Sequence, residues 1–267
     1  MILANKVVVI TGAGNGMGRE LTLQLLRKGA KVAAIDVSEK NLQETIQLAG
    51  PLADHLSIHQ VDITNREAVF ALPQQIFSIH GEVDVLFNNA GIIQPFVRIN
   101  DLDISAIERV MNVNFYGVVN MTKAFLPHLK NRPEAYIANT SSMGGYLPVP
   151  GQGIYGASKA AVKLLTEALY AELLDTNVHV SIIYPGAIGT NITANSGVKM
   201  EIPEGMSEKQ MKTLAPDKAA AIIIRGIEQN NPRIIVGSDA KFMDRLCRIA
   251  PLFATKFIAK QMKALLK

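Results

Sequence analysis

The sequence predicts a single α/β domain in which a doubly wound, parallel sheet of seven strands carries helices on both faces. Two observations lead to this fold class. Along the 267 residues, short runs rich in apolar and β-branched residues alternate with longer amphipathic stretches, which is the order of elements in a parallel sheet with crossover helices. The short runs are apolar throughout rather than at every second position, as expected of strands buried on both faces.

The elements follow from this alternation in chain order. We expect strands at residues 6–10, 31–35, 56–61, 83–87, 135–139, 178–184 and 233–236. We expect helices at residues 16–28, 41–48, 66–79, 105–129, 155–174 and 216–228. Residues 186–214 depart from the pattern: they are rich in Gly, Asn, Met and Pro and follow the sixth strand, which suggests a loop that covers a ligand. Residues 239–267 are helical in character, with Pro251 dividing them.

The net charge of +4 is concentrated near the end of the sequence. From Lys241 onward there are seven basic residues and one acidic residue, whereas the other 240 residues carry 20 basic and 22 acidic ones. The body of the protein therefore lacks the basic surface that nucleic-acid binding requires. We expect no nucleic-acid partner.

Cysteine and histidine usage argues for a reducing compartment and against a metal site. Cys247 is the single cysteine, so an internal disulfide is excluded. The five histidines show no metal-ligand spacing with one another or with Cys247. The first residues run directly into a strand, and no segment reaches the ~20 apolar residues that span a bilayer. We expect a cytoplasmic protein, free or held at a membrane surface, with no bound metal.

A glycine-rich turn follows the first strand. Residues 11–18 read Thr-Gly-Ala-Gly-Asn-Gly-Met-Gly, so the spacing is Thr-Gly-x-x-x-Gly-x-Gly; a strict Gly-x-Gly-x-x-Gly pattern is interrupted by Met17. Glycines at such a turn let the backbone approach a pyrophosphate, and the free N–H groups of the following helix bind phosphate oxygens. The turn predicts a Rossmann-type dinucleotide site.

Asp36 ends the second strand, eighteen residues after Gly18. A carboxylate at this place hydrogen-bonds the adenosine ribose hydroxyls and repels a 2′-phosphate. No Arg or Lys occupies positions 13–17 or directly follows Asp36 to receive such a phosphate. Asp36 therefore favours NAD over NADP.

Tyr155 and Lys159 are four residues apart on a predicted helix, and Ser142 lies thirteen residues before Tyr155. This helical spacing places a phenol and an ammonium side by side. A phenol has a pKa near ~10 and is a poor base at neutral pH, but an adjacent positive charge stabilises the phenolate and lowers its pKa. The pair can then transfer a proton to or from an alcohol oxygen.

The order of these motifs resembles that of the short-chain dehydrogenase/reductase superfamily, in its compact single-domain branch. The resemblance covers residues 5 to about 237. We expect residues 1–240 to form a Rossmann-fold NAD(P)-binding dehydrogenase domain and residues 241–267 a basic, amphipathic helical extension. Beyond the motifs above, the resemblance rests on Asp62, Asn88-Asn89-Ala90-Gly91, Asn114 with Gly117, and Pro185-Gly186 with Thr190.

The resemblance implies a set of cofactor contacts. Asp62 and Ile63 are expected to contact the adenine ring, and residues 89–91 to pack by the adenosine ribose. Residues 185–190 are expected to hold the nicotinamide, with Thr190 near its carboxamide. The full implied set is Gly12, Asn15, Gly16, Met17, Gly18, Asp36, Asp62, Ile63, Asn89, Ala90, Gly91, Tyr155, Lys159, Pro185, Gly186, Ile188 and Thr190.

It also implies four catalytic residues. Lys159 is expected to bind the nicotinamide ribose and to lower the pKa of Tyr155, which takes the alcohol proton in oxidation or donates it in reduction. Ser142 is expected to hydrogen-bond the substrate oxygen. Asn114 is expected to hold a water that links Lys159 to solvent. Ser141 is the competing serine, and the thirteen-residue spacing to Tyr155 favours Ser142.

These features predict an NAD-dependent oxidoreductase that transfers a hydride between the cofactor and a secondary alcohol or ketone. Apolar residues in two loops suggest a hydrophobic substrate, such as a steroid-like, terpenoid or long-chain alcohol. Those residues are Ile188, Ile192, Val198, Met200, Ile202, Met206, Met143, Tyr146, Leu147 and Val149. Two alternatives stay open: a dinucleotide-binding regulatory protein without catalysis, and an isomerase or dehydratase that uses the same Tyr–Lys pair.

The tail leaves two interpretations open. At about 100° per residue, four lysines between Lys256 and Lys267 fall within about 60° of a helix circumference, with apolar residues around the remainder. Residues 252–267 thus suit an anionic membrane or a partner groove, and they also suit packing on their own or a second subunit with the lysines exposed. The family is commonly tetrameric, and the helices at 105–129 and 155–174 have apolar faces, so we expect a homodimer or homotetramer.

Overall fold

The computed structural model describes residues 1–198 and 213–263. All seven expected strands are present and form one parallel sheet, with ends within two residues of those expected. The strands are β1 (Val7–Thr11), β2 (Lys31–Asp36), β3 (Leu56–Gln60), β4 (Val85–Asn88), β5 (Ala135–Thr140), β6 (Val178–Pro185) and β7 (Arg233–Val236). Their order in the sheet is β3-β2-β1-β4-β5-β6-β7. The predicted fold class is confirmed.

Helices cover both faces of the sheet. In the described part of the chain they are α1 (Gly16–Arg27), α2 (Glu39–Ala49), α3 (Arg66–His80), α4 (Ile104–Met111), α5 (Gly117–Leu129), α6 (Gly153–Glu172), α7 (Ile192–Asn195), α8 (Pro216–Glu228), α9 (Ser238–Ile249) and α10 (Pro251–Gln261). Val8 and Ile10 of β1 belong to one core with α1 and α8, whereas Val7 and Val9 belong to a second core with α3 and α5. Because both faces of the strand are buried, its apolar run is continuous.

The strand order reverses at β1, which pairs with β2 on one side and with β4 on the other. The crossovers therefore leave a crevice outside the carboxyl ends of β1 and β4, where open α/β sheets bind their ligands. The Thr11 hydroxyl joins the two strands there, because it accepts hydrogen bonds from the backbone N–H groups of Asn89 at 3.0 Å and Ala90 at 3.1 Å.

The prediction of one continuous α-helix at residues 105–129 is wrong, because the helix is interrupted. A π-helical segment, Asn112–Tyr116, separates α4 from α5, and the N–H of Gly117 bonds to the carbonyl of Asn112, five residues earlier. The apolar pattern runs through this segment without a break, so periodicity could not reveal it. The segment contains the buried Asn114, and such local widening is frequent at functional sites.

The expected helical tail forms a hairpin of α9 and α10, divided at Pro251. Its inner side packs on the domain through a small core that contains Leu147, Met243 and Ala254. This contact matches the interpretation in which the tail packs on its own subunit. Among the described residues, no helix is both long enough and apolar enough to cross a membrane. Four residues named above, Met200, Ile202, Met206 and Lys267, lie outside the described residues.

Candidate active site

A cavity of about 750 Å³ lies at the carboxyl ends of the strands. Its walls come from the glycine-rich turn, the ends of β2, β4, β5 and β6, and the start of α6. Every residue of the implied cofactor set lines this cavity, and so does Ser142. Asn114 is the one expected site residue that does not line the cavity; its side chain is buried next to the lining residues.

The glycine-rich turn has the shape that a pyrophosphate requires. Gly12 and Gly16 adopt φ angles of +67° and +51°, which residues other than glycine rarely adopt. A Cβ atom at Gly18 would overlap the Gly12 carbonyl oxygen, so the third glycine allows helix and strand to approach closely. Asn15 caps α1 by accepting the N–H of Gly16 at 2.6 Å. The positive end of α1 thus faces the cavity and fits an anionic group.

Asp36 lies beside this turn, and its carboxylate is hydrogen-bonded to it. Its Oδ2 accepts the N–H of Gly14 at 3.0 Å, and its Oδ1 accepts the N–H of Ser38 at 3.0 Å. The carboxylate therefore keeps its place at the cavity wall, with acceptor capacity left for ribose hydroxyls.

Arg19 is a basic residue near the turn that the sequence argument did not consider. Its guanidinium donates to Glu44 Oε2 at 2.8 Å, to Thr45 Oγ1 at 3.1 Å and to the carbonyl of Asn41 at 3.2 Å. It also donates to the Gly14 carbonyl. Arg19 is therefore held in place by these partners, and its charge is paired with Glu44.

Ser142 and Tyr155 approach each other across Gly144. A Cβ atom on this glycine would lie 3.3 Å from Tyr155 Cε1 and 3.5 Å from Ser142 Oγ. Ser142 Oγ accepts the N–H of Gly144 at 3.0 Å, which fixes the hydroxyl at the cavity wall. Ser141 Oγ instead donates to the backbone carbonyl of Lys159 at 2.7 Å. The geometry therefore favours Ser142 over Ser141 as the serine that meets a substrate.

Lys159 lies one helical turn after Tyr155, and its ammonium donates to the carbonyl of Thr140 at 2.9 Å. A Cβ atom on Gly91 would lie 3.0 Å from its Nζ. Burial lowers the pKa of Lys159 to about 8. Burial also raises the pKa of the Tyr155 phenol, and the Ser142 hydroxyl partly offsets this by hydrogen bonding. The lowering of the Tyr155 pKa by Lys159 stays a prediction.

Asn114 acts as a link between the cavity wall and α6. Its Oδ1 accepts the N–H of Ile92 at 2.8 Å, and its Nδ2 donates to the Ile92 carbonyl at 2.9 Å and to Ser158 Oγ at 2.9 Å. Ser158 Oγ in turn donates to the Tyr155 carbonyl at 2.7 Å. Both amide hydrogens of Asn114 are thus used within the protein, and its role in holding a water stays a prediction.

Gln94 was not singled out by the sequence, yet it holds the first turn of α6. Its Oε1 accepts the N–H groups of Ile154 at 2.8 Å and Tyr155 at 3.0 Å, and its Nε2 donates to the Gly151 carbonyl at 3.0 Å. The Gln152 side chain donates back to the Gln94 carbonyl at 2.9 Å. Because Gln94 is buried, it acts as a fixed helix cap for the turn that carries the phenol.

Asp239 was also missed, and it holds the loop after β6. Its Oδ2 accepts the N–H of Ala187 at 2.7 Å, and a Cβ atom on Gly186 would overlap its carboxylate. Further along this loop, Thr190 packs against Gly16, where a Cβ atom would lie 3.2 Å from the threonine Cγ2. The loop after β6 therefore contacts the glycine-rich turn, and Asp239 of α9 supports that loop.

The apolar residues expected around a substrate divide into two groups. Ile188 and Ile192 line the cavity. Tyr146, Leu147 and Val149 line a second cavity, of about 550 Å³, beside the tail hairpin. Met143 packs against the small core under the hairpin. The expectation that the residues after Ser142 form the apolar wall of the substrate site is wrong for these four, because the tail helices provide their apolar partners.

Comparison with known proteins identifies the family. A model of the short chain dehydrogenase family matches residues 6–201. The chain belongs to the short-chain dehydrogenases. A relative within this family, SadH of Mycobacterium tuberculosis, is named as an oxidoreductase. It is 39% identical over 250 residues, which cover 91% of this chain and 90% of SadH.

Two solved structures of short-chain dehydrogenases share the fold. One, from Burkholderia phymatum in complex with NAD, has a TM-score of 0.84 and 28% identity, and the match covers 93% of this chain and 94% of the other. The second, from Burkholderia cenocepacia in complex with NADP, has a TM-score of 0.81 and 26% identity, with coverage of 97% and 99%. Similar short-chain dehydrogenases therefore bind either nicotinamide dinucleotide.

Proposed function

We propose that this short-chain dehydrogenase transfers a hydride between NAD(H) and a secondary alcohol or ketone. The observation that carries the proposal is the placement of Ser142 and Tyr155 on either side of Gly144, in a cavity whose other end is the glycine-rich turn. The same cavity thus contains side chains suited to acid–base catalysis, Ser142 and Tyr155, and a turn suited to binding phosphate.

The protein residues account for the proton that accompanies the hydride. In oxidation, the alcohol oxygen is held by Ser142 and Tyr155, and its proton passes to the deprotonated oxygen of Tyr155 (the phenolate) while the carbon loses a hydride. In reduction, Tyr155 returns the proton to the carbonyl oxygen. Ser142 donates a hydrogen bond to that oxygen and stabilises the charge that develops on it. A bound nicotinamide supplies the hydride acceptor or donor.

The nicotinamide dinucleotide is supported by the shape of the site and by the two dinucleotide-bound relatives. We propose a preference for NAD because the Asp36 carboxylate stands at the cavity wall beside the turn. A 2′-phosphate near it would meet a negative charge, and the Arg19 charge is already paired with Glu44. In contrast, the ribose hydroxyls of NAD provide donors that the carboxylate accepts.

Ile93, Ile188 and Ile192 contribute apolar lining to the cavity, and burial of apolar surface against them would favour a hydrophobic substrate. We therefore propose a secondary alcohol or ketone with a steroid-like, terpenoid or long-chain skeleton.

We also propose that the protein forms a homodimer or homotetramer. Large apolar side chains are exposed on neighbouring helical surfaces: Ile104 of α4 is 68% exposed and Leu164 of α6 is 67% exposed. Tyr116 is 46% exposed and Tyr170 of α6 is 41% exposed. Exposed apolar groups of this number on two packed helices are typical of subunit contacts. Light scattering with size-exclusion chromatography tests this, and a monomer at micromolar concentration would refute it.

The function is tested by incubating the purified full-length chain with hydrophobic secondary alcohols and ketones in the presence of NAD(H) or NADP(H). We expect a change in nicotinamide absorbance with at least one substrate pair, and faster change with NAD(H). Product formation without any change in absorbance would instead identify an isomerase or dehydratase. Dinucleotide binding without any turnover across the panel would favour a regulatory protein.

A further inference from the structure

The tip of the α9–α10 hairpin exposes an unusual amount of apolar surface. Ile249 is 84% exposed, Leu252 78% and Phe253 60%. Phe257 is 37% exposed, and its ring stacks on that of Phe253 with the centroids 6.4 Å apart. We call these four residues the hairpin tip. The inner side of the same hairpin is well packed, since Met243 and Ala254 are buried, so the exposure belongs to one side of the hairpin.

Basic side chains are exposed along both helices of the hairpin. The exposed ones are Lys241, Arg245, Arg248, Lys256, Lys260 and Lys263. Within residues 238–263, which the structure describes in full, only two carboxylates occur. Asp239 accepts the N–H of Ala187, and the buried Asp244 pairs with Arg233 at 2.7 Å and with Arg248 at 3.2 Å. The outer surface of the hairpin is therefore positively charged as well as apolar.

This combination selects among possible partners. Apolar side chains that project from a turn between two helices can enter the acyl boundary of a bilayer, while the flanking cations remain at the level of the lipid phosphates. A second copy that met this surface through a two-fold axis would bring the same cations face to face, and their repulsion disfavours the contact.

We propose that the hairpin tip inserts into the surface of an anionic membrane and holds the protein there. The hairpin also contacts the segment that follows Ser142, because the hydroxyl of Tyr146, four residues later, donates to the Ala240 carbonyl at 2.8 Å. A protein bound in this way has the segment that follows Ser142 near the phase in which hydrophobic alcohols and ketones are most concentrated. This last consequence rests on the proposed function; the membrane contact itself does not.

The test is sedimentation of the full-length chain with vesicles of phosphatidylcholine alone or mixed with phosphatidylglycerol. We expect binding to the anionic vesicles, weakened by salt, and little binding to the neutral ones. The double variant Leu252→Ser/Phe253→Ser should reduce the partition coefficient at least about tenfold, since each side chain loses apolar burial. Phe70→Ser is the matched control, because Phe70 is 52% exposed on α3, outside the hairpin.

Thermal unfolding and dinucleotide binding should be unchanged in both variants, because all three side chains are exposed. Equal binding to neutral and anionic vesicles, or unchanged binding by the double variant, would overturn the proposal. A different outcome would also overturn it: the wild type does not bind vesicles, and the double variant has a lower molecular mass by light scattering than the wild type. The hairpin tip would then be a contact between copies of the chain. Sedimentation needs no substrate, so its outcome is independent of the dehydrogenase activity.

Discussion

The side-chain oxygen of Gln94 accepts the backbone N–H of Tyr155 at 3.0 Å, across 61 positions of sequence. The first N–H groups of a helix have no partner within the helix, and here Gln94 provides one for the residue that carries the phenol. The bond fixes the height of the first turn of α6 relative to the loop after β4. Gln94 is therefore a positioning residue for Tyr155.

We predict that Gln94→Ala lowers the free energy of unfolding by about 1–3 kcal/mol, because two partly buried N–H groups lose their acceptor. The displaced turn should also lower kcat more than it raises KM, since the phenol moves while the rest of the cavity is kept. Urea denaturation and steady-state kinetics measure the two effects. Gln74→Ala, at an exposed position of α3, is the control. A stability loss with unchanged kcat would show that Gln94 only supports the fold.

Tyr155→Phe removes the hydroxyl and keeps the ring. We expect turnover to fall below about one hundredth of the wild-type rate, the usual contribution of a general acid or base. NAD binding, measured by calorimetry, should remain. The control Tyr170→Phe changes an exposed tyrosine on the same helix and should leave both quantities unchanged. A Tyr155→Phe enzyme with more than that rate would contradict the proposed proton transfer.

Asp36→Ser removes the carboxylate beside the glycine-rich turn. We expect the ratio of kcat/KM for NAD to that for NADP to fall at least about tenfold, which corresponds to ~1.4 kcal/mol of repulsion removed. Part of the loss should appear as weaker NAD binding, because Gly14 and Ser38 each lose an acceptor. Asp54→Ser, at an exposed position, serves as the control. An unchanged ratio would mean that another group selects the dinucleotide.

The pH dependence of stability should report the buried ammonium. Burial lowers the pKa of Lys159 to about 8, below the ~10.4 of an unfolded chain. Between these values the unfolded chain binds more protons at this position, so the free energy of unfolding of the cofactor-free protein rises with pH, by roughly 3 kcal/mol in total. The raised pKa of Tyr155 reverses the trend only above pH ~10.

Lys159→Met should abolish this rise, and it should stabilise the cofactor-free protein most below pH ~8, where the wild type carries the buried charge. Denaturation at a series of pH values measures both effects. Lys123→Met, at an exposed position of α5, should keep the wild-type slope. A rise of the same size in the Lys159→Met protein would assign the effect to another group.

The parts of the molecule that the sequence predicted are those with local signals. The seven strands follow from apolar runs, and the turn at residues 11–18 follows from its glycines. Tyr155 and Lys159 are related by a single helical turn, so their spacing alone places them together. Each of these features is contained within a few consecutive residues.

The features that the sequence did not predict depend on partners distant in the chain. Gln94 meets Tyr155 only after the sheet has formed, and Asp239 meets Ala187 across 52 positions. The sequence shows that the residues from Met143 to Val149 are apolar, but it does not show which part of the fold they pack against. The substrate site was therefore the expected place for them. The tail hairpin is the part that they pack against. The π-helical segment at Asn112–Tyr116 leaves the apolar period unbroken, so no pattern marks it.

The bond between Asp239 and Ala187 has a consequence for biosynthesis. The loop that follows β6 is held from α9, which is made after every strand of the sheet. Until Asp239 has been synthesised, the loop after β6 lacks this hydrogen bond. This support for the cavity is therefore added by a residue that is synthesised after all seven strands of the sheet.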